Sequence, residues 1–185
     1  MKIGIIVGST RPNRVGDQVG QWIYARASAR DDAEFELVDL LDYDVPLLAA
    51  PKPPMALQRD YADPRVSAWG AKMDEFDAYV LVTAEYNHSV PGVFKNAIDN
   101  LGPELWQKAA GLASYGAESG VRAVEHWRQI LANWSMYVVR QQVSFSTNLE
   151  FRDGVFTPNE RREGELKALL DQLIPAATAM ARLRG

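Results

Sequence analysis

Residues 1–16 read Met1-Lys-Ile-Gly-Ile-Ile-Val-Gly-Ser-Thr-Arg-Pro-Asn-Arg-Val-Gly16, an aliphatic run from Ile3 to Val7 that breaks into glycine, hydroxyls and two arginines. A nearly unbroken aliphatic run suits a strand buried on both faces, hence a central strand of a parallel sheet. Gly8 frees the backbone to turn. Ser9, Thr10, Arg11, Asn13 and Arg14 then present hydroxyl, amide and guanidinium donors beside the start of a helix, whose free N–H groups and dipole favour an anion. The loop lacks the Gly-Lys-Ser/Thr ending of a nucleoside-triphosphate loop, and Gly8 and Gly16 do not make a Gly-x-Gly-x-x-Gly fingerprint, so a monophosphate fits it better. A plainer account uses the same residues: Ser9 and Thr10 cap the helix and both arginines are solvated.

Working outward, Val15, Val19, Trp22, Ile23 and Ala27 recur at helical spacing and predict a helix ending before Asp31-Asp32. Strands follow at Phe35–Leu40, Ala78–Thr83, Gly111–Tyr115 and Val138–Phe145, alternating with helices at Val66–Phe76, Val93–Leu101, Val121–Trp134 and Pro158–Leu183. Asp42–Arg65 holds five prolines and reads as one long irregular loop, a length that usually carries a function. Five strand–helix repeats predict an α/β three-layer fold, a five-stranded parallel sheet with helices on both faces and right-handed crossovers. The order 2-1-3-4-5, flavodoxin-like, is expected. It would bring the loops Ser9–Gly16, Ala84–Gly92 and Ser114–Gly120 together at the carboxyl ends of the strands. Pro175 predicts a kink or break near Leu173.

Composition narrows the function classes. The 185 residues suit a single domain spanning 1–185, and 47% hydrophobic residues suffice for a core without staples. Zero cysteine excludes thiolate nucleophiles, disulfides and Cys-type metal or Fe–S sites, so redox chemistry would need a bound cofactor. A net charge of −4 with scattered basic residues argues against nucleic acid as a partner. No signal peptide and no apolar run near the ~20 residues of a membrane span is visible, which predicts a cytoplasmic protein without membrane contact. His126 lacks a metal partner at ligand spacing, and no metal site is expected. Lys95 and Asp99 read as a structural i,i+4 pair. Trp106 and Tyr61, outside regular elements, suit either a subunit interface or ordinary packing.

The loop after the third strand, Ala84-Glu-Tyr-Asn-His-Ser-Val-Pro-Gly92, is expected to wall the pocket. Tyr86 and His88 can flank a flat aromatic ligand, and Asn87, Ser89 and backbone amides can read a heterocycle's polar edge. Equally, Tyr86 can pack on the next helix and Asn87 form an Asx turn before Pro91.

Gly8-Ser9-Thr10-Arg11, Glu85-Tyr86-Asn87 and Pro91-Gly92-Val93-Phe94-Lys95-Asn96-Ala97-Ile98-Asp99 together resemble the NADPH-dependent FMN reductase family, flavodoxin-like quinone, flavin and azo reductases, over most of the chain. The resemblance implies a bound FMN. It assigns Ser9, Arg11, Arg14 and the amides near Val15 to the FMN phosphate. Glu85, Tyr86, Asn87 and His88 fall along the isoalloxazine ring, and Ser114, Tyr115 and Gly116 at its pyrimidine edge. The family's proline before Glu-Tyr-Asn is Ala84 here, which adds backbone freedom and one N–H at that point.

The implied activity is hydride transfer from NADPH or NADH to FMN and onward to a quinone, flavin, azo or similar small-molecule acceptor, with no catalytic side chain required. A homodimer or homotetramer is implied as well. The alternative is an FMN-binding electron carrier or sensor without efficient NAD(P)H turnover, and a third reading is a flavin-free binding domain on the same scaffold. The acceptor and the choice between NADPH and NADH are not legible in these residues.

Overall fold

A computed structural model describes residues 1–184. Five strands, β1 (Lys2–Val7), β2 (Glu34–Asp39), β3 (Ala78–Ala84), β4 (Ala109–Gly116) and β5 (Tyr137–Ser146), form a parallel sheet in the order β2-β1-β3-β4-β5. The expected order is therefore the observed one, with boundaries differing by one to two residues. β1 pairs Ile3 with Phe35 along one edge and with Ala78 along the other, which makes it central, and its aliphatic side chains are buried on both faces of the sheet.

The pleat sorts those side chains. Ile3, Ile5, Val80 and Val82 pack with Val19, Ile23 and Ala27 of α1 (Gly16–Ala27) and with Leu166, Leu169 and Leu173 of α6 (Arg161–Leu183). Ile6, Tyr79 and Leu81 point the other way. There they meet Trp69 and Met73 of α3 (Pro64–Asp74), Phe94 and Ile98 of α4 (Gly92–Asp99), and Val124 and Trp127 of α5 (Val121–Leu131). Three layers result. Val121, at the start of α5, is exposed, and Trp134, expected within the same helix, lies on a 3₁₀ turn beyond it.

Three features depart from expectation. The proline-rich segment contains a short helix, α2 (Pro54–Leu57), and is tied down by Asn96 and Asn100 of the α4 region. Asn96 accepts from Leu48 N–H at 2.9 Å and donates to Pro46 O at 2.9 Å, while Asn100 donates to Pro46 O at 3.1 Å. A hairpin, β6 (Phe151–Arg152) with β7 (Val155–Phe156), follows β5, and its Phe156 packs edge-on against Trp22 and Phe145. Gln18 holds it, donating to Gly154 O and accepting from Phe156 N, both at 2.8 Å. Finally, α6 runs through Pro175 without the predicted break. Leu169, Leu170, Leu173 and Ala177 on either side of the proline are buried, and that packing outweighs one missing N–H bond.

Candidate functional site

In the loop after β1 glycine is required at Gly8 for close approach, while the left-handed turn is taken by Asn13, with φ of 55°. A Cβ on Gly8 would lie 1.8 Å from the Phe94 ring, so only glycine lets α4 seat against the end of β1. Beyond the loop, α1 begins at Gly16, with Val15 at its N-cap and no side chain satisfying the first N–H groups. Ser9 and Thr10 therefore do not cap this helix, and its free donors and positive dipole end stay available to an anion.

The two arginines are placed differently. Arg11 is exposed and, among the described residues, makes no ion pair or side-chain hydrogen bond. Arg14 is committed: its Nη1 donates to Ser9 O at 2.6 Å and to Asp39 Oδ1 at 2.8 Å, and its Nη2 pairs with Asp39 Oδ2. Ser9 is buried, with its hydroxyl 2.9 Å from the Tyr86 hydroxyl, which ties the first loop to the third. Tyr115 closes the floor. Only 5% of it is exposed, and its hydroxyl is enclosed without a hydrogen-bond partner of normal geometry. Burial raises its pKa, against a smaller opposing influence of Ser9.

In the loop after β3, Tyr86 and Ser89 bond to each other through both backbone groups, at 3.0 and 3.1 Å, and Asn87 and His88 between them have φ of 50° and 67°. That is the pattern of a tight primed turn, and asparagine and histidine are among the non-glycine residues that tolerate it best. The part Asn87 plays is thus in its backbone rather than in a side-chain Asx turn. Ser89 Oγ lies 2.9 Å from His126 Nδ1, pinning the end of the turn to α5.

Glu85 faces α5 as well, accepting from Arg122 N at 2.9 Å and pairing with the Arg122 guanidinium at 2.8 Å. Burial opposes the charge of the Glu85 carboxylate. The Arg122 guanidinium and the α5 N–H groups outweigh it and hold its pKa below the usual value. Ser114 is spent on structure too, donating to Ser119 O at 2.7 Å and lying 2.9 Å from Ser144 Oγ.

Between these loops lies a cleft of about 200 Å³, lined by Arg11, Arg14, Val15, Ala84, Glu85, Tyr86, Tyr115, Gly116, Ala117 and Thr147. It sits at the carboxyl ends of β1, β3 and β4, where the strand order reverses. A larger, mostly apolar cavity of about 400 Å³ lies under Pro46–Pro51 and shares no residue with the cleft; its one cation, Arg65, is paired with Asp63 and Asp44. A bare helix N-terminus, an unpaired cation and a shallow wall of small residues suit a phosphorylated flat ring system in the smaller cleft.

The sequence profile of the NADPH-dependent FMN reductases matches residues 1–150. The chain belongs to the NADPH-dependent FMN reductase family. An NAD(P)H-dependent FMN reductase of Schizosaccharomyces pombe is 32% identical over 119 residues, which cover 64% of this chain and 60% of that protein's length. A quinone reductase of Escherichia coli is 29% identical over 190 residues, covering 97% of this chain and 93% of its own. Among solved structures, the flavoenzyme NAD(P)H:(acceptor) oxidoreductase FerB of Paracoccus denitrificans superposes with a TM-score of 0.72 over 95% of this chain and 98% of its own. At 21% identity that likeness speaks for the fold.

Of the residues the family resemblance assigns to FMN, seven line the cleft: Arg11, Arg14, Val15, Glu85, Tyr86, Tyr115 and Gly116. Ser9, Asn87, His88 and Ser114 do not. Ala84, Ala117 and Thr147 line it without having been singled out as ligands. Ala84, the departure from the FMN reductase pattern, is the last residue of β3 and pairs with Tyr115, so the sheet takes up the freedom that alanine adds. Tyr61 proves structural, its hydroxyl donating to the buried Glu104 carboxylate at 2.9 Å, whereas Trp106 is 42% exposed. Lys95 and Asp99 form the expected pair, at 2.6 Å. No cluster of three potential metal-binding side chains occurs among the described residues.

Proposed function

We propose that this chain, acting as one domain over residues 1–185, is an NAD(P)H-dependent oxidoreductase that holds FMN in the cleft and reduces a quinone, flavin, azo compound or similar small acceptor. The observation that carries this reading is the uncapped N-terminus of α1 with unpaired Arg11 beside it, at the mouth of a cleft walled by residues 84–86 and 115–117. Bound FMN would supply the redox centre, taking two electrons as hydride from the nicotinamide and returning them to the acceptor.

The protein's own part is placement. The α1 N–H groups and Arg11 would hold the phosphate, and the 84–86 and 115–117 segments would lie along the ring system. Fixed backbone dipoles would meet the charge that grows on the ring's polar edge during reduction. Ser9, buried between the phosphate loop and Tyr86, would keep these two parts of the cleft in register. Asn87, His88 and Ser114 would act through backbone shape, since their loops border the cleft while their side chains do not line it. In keeping with the family resemblance, we expect a cytoplasmic homodimer or homotetramer.

Titration with FMN followed by aerobic NADPH and NADH oxidation, with and without a quinone, tests the assignment. Saturable flavin uptake and acceptor-stimulated turnover are expected. Uptake without turnover with any acceptor would establish the electron-carrier reading instead, and a protein that takes up no flavin would refute both.

A further inference from the structure

Granting a phosphate at the α1 N-terminus, the reading on which this inference rests, Arg11 and Arg14 cannot serve it in the same way. The Arg14 side chain is 13% exposed, and its guanidinium is neutralised by Asp39, the last residue of β2. Its Nη1 also grips Ser9 O at 2.6 Å, and its own N–H bonds back to Arg11 O at 3.1 Å. A trans peptide directs its N–H opposite to its carbonyl, so holding Ser9 O against Arg14 sets the direction of the Thr10 N–H as well. Asp39 is shared: its Oδ1 also accepts from Leu41 N–H at 3.0 Å at the start of the 3₁₀ turn that opens the proline-rich segment. The Arg11 side chain, among the described residues, has none of these ties.

We propose that Arg14 is a positioning residue rather than an anion ligand: with Asp39 it clamps the 9–14 loop to the end of β2, and of the two arginines only Arg11 brings charge to the phosphate.

The two roles differ in sign at Asp39. A carboxylate beside the phosphate loop repels a dianion, so if Arg14 acted by charge, Asp39→Asn would free it and tighten FMN binding. If Arg14 acts by clamping, Asp39→Asn loosens the loop and weakens binding. Lysine separates the roles again, because it keeps the charge and lacks the planar fork that spans a carbonyl and a carboxylate together.

The test titrates FMN and riboflavin against the full chain by flavin fluorescence, from about 0.05 to 0.3 M salt. The variants are Arg11→Gln, Arg14→Gln, Arg14→Lys, Asp39→Asn and the Arg14→Gln/Asp39→Asn double, each checked for folding by circular dichroism. We expect Arg14→Gln, Arg14→Lys and Asp39→Asn each to weaken FMN about tenfold, with the wild-type salt dependence kept in Arg14→Lys and in the double variant, which leave the net charge of the pair unchanged. The double variant is expected to be no weaker than the worse single. Arg11→Gln is expected to weaken FMN, flatten the salt dependence and leave riboflavin unchanged.

Tighter FMN binding by Asp39→Asn, wild-type affinity in Arg14→Lys, or a flattened salt dependence in the charge-neutral double variant would each overturn the proposal. Should the asparagine variant fail to fold, Arg14→Lys decides alone. A wild-type protein that does not take up FMN, or that binds FMN and riboflavin alike, would instead sink the phosphate reading and this inference with it.

Discussion

Gly16 and Tyr115 offer a stringent test of the site because the strain between them can be introduced and then relieved. A Cβ on Gly16 would stand 2.3 Å from the Tyr115 Oη and 3.0 Å from Cζ. The tyrosine has little room to retreat, being 5% exposed with its hydroxyl enclosed. Gly16→Ala should therefore cost about 1–3 kcal/mol of overpacking, offset only in part by alanine's helix preference.

Tyr115→Phe removes a buried hydroxyl that has no hydrogen-bond partner of normal geometry. An unsatisfied buried group costs about 1–3 kcal/mol, and the small void left behind returns some of that, so the apo protein should gain about 1 kcal/mol, or about 2–4 °C in Tm. In the double variant the nearest atom is the ring carbon at 3.0 Å, which a shift of a few tenths of an ångström accommodates. Its stability should return close to wild type, a coupling of about 1–2 kcal/mol. Because Gly16 opens α1, its methyl should also displace the first turn and weaken FMN relative to riboflavin, and Tyr115→Phe should restore the preference. Thermal unfolding of the four apo proteins with parallel flavin titrations measures all of this. Tyr115→Phe costing more than 1 kcal/mol, or Gly16→Ala as stable as wild type, would show that the hydroxyl has a partner and that the contact does not limit the loop.

Two further outcomes are expected. Lys108 is buried, donating to Met73 O, Asp74 O and the Tyr79 hydroxyl, and burial brings its pKa down from 10.5 to about 8. Between those values the unfolded chain binds more protons than the folded one, so stability rises with pH through that window. The penalty, at most about 3 kcal/mol, is present in full below pH ~8; urea unfolding from pH 7.5 to 10.5 should show the rise, and Lys108→Met should lack it. Asn96→Ala removes two hydrogen bonds to Pro46 and Leu48, about 1–2 kcal/mol, so limited proteolysis beside exposed Leu47 should accelerate about 5–30-fold with little change in global stability.

How much was legible beforehand follows from the range of each interaction. The strands, most helices and their order could be read because periodicity is written within a few adjacent residues. β6–β7 and α2 were missed because each is too short to show a period. The break expected at Pro175 failed because a local rule met a helix whose neighbouring leucines are buried against the sheet. The cleft's position was legible as well, since parallel strands of this order bring three particular loops together.

What each side chain does there was not legible. Arg14 and Arg11 look interchangeable in sequence. Only the pairing of β1 with β2 brings Asp39, 25 residues away, onto Arg14 and leaves Arg11 free. Glu85 looks like a ring contact until the sheet order sets α5 beside it and Arg122, 37 residues on, takes its carboxylate. The strand–helix alternation along the sequence determined a parallel-sheet fold and the place of its cleft, because burial patterns and turn chemistry are local. The division of that cleft into side chains that face it and side chains that brace it came from tertiary structure alone, because hydrogen-bonding partners are set by strand register and helix packing across dozens of residues.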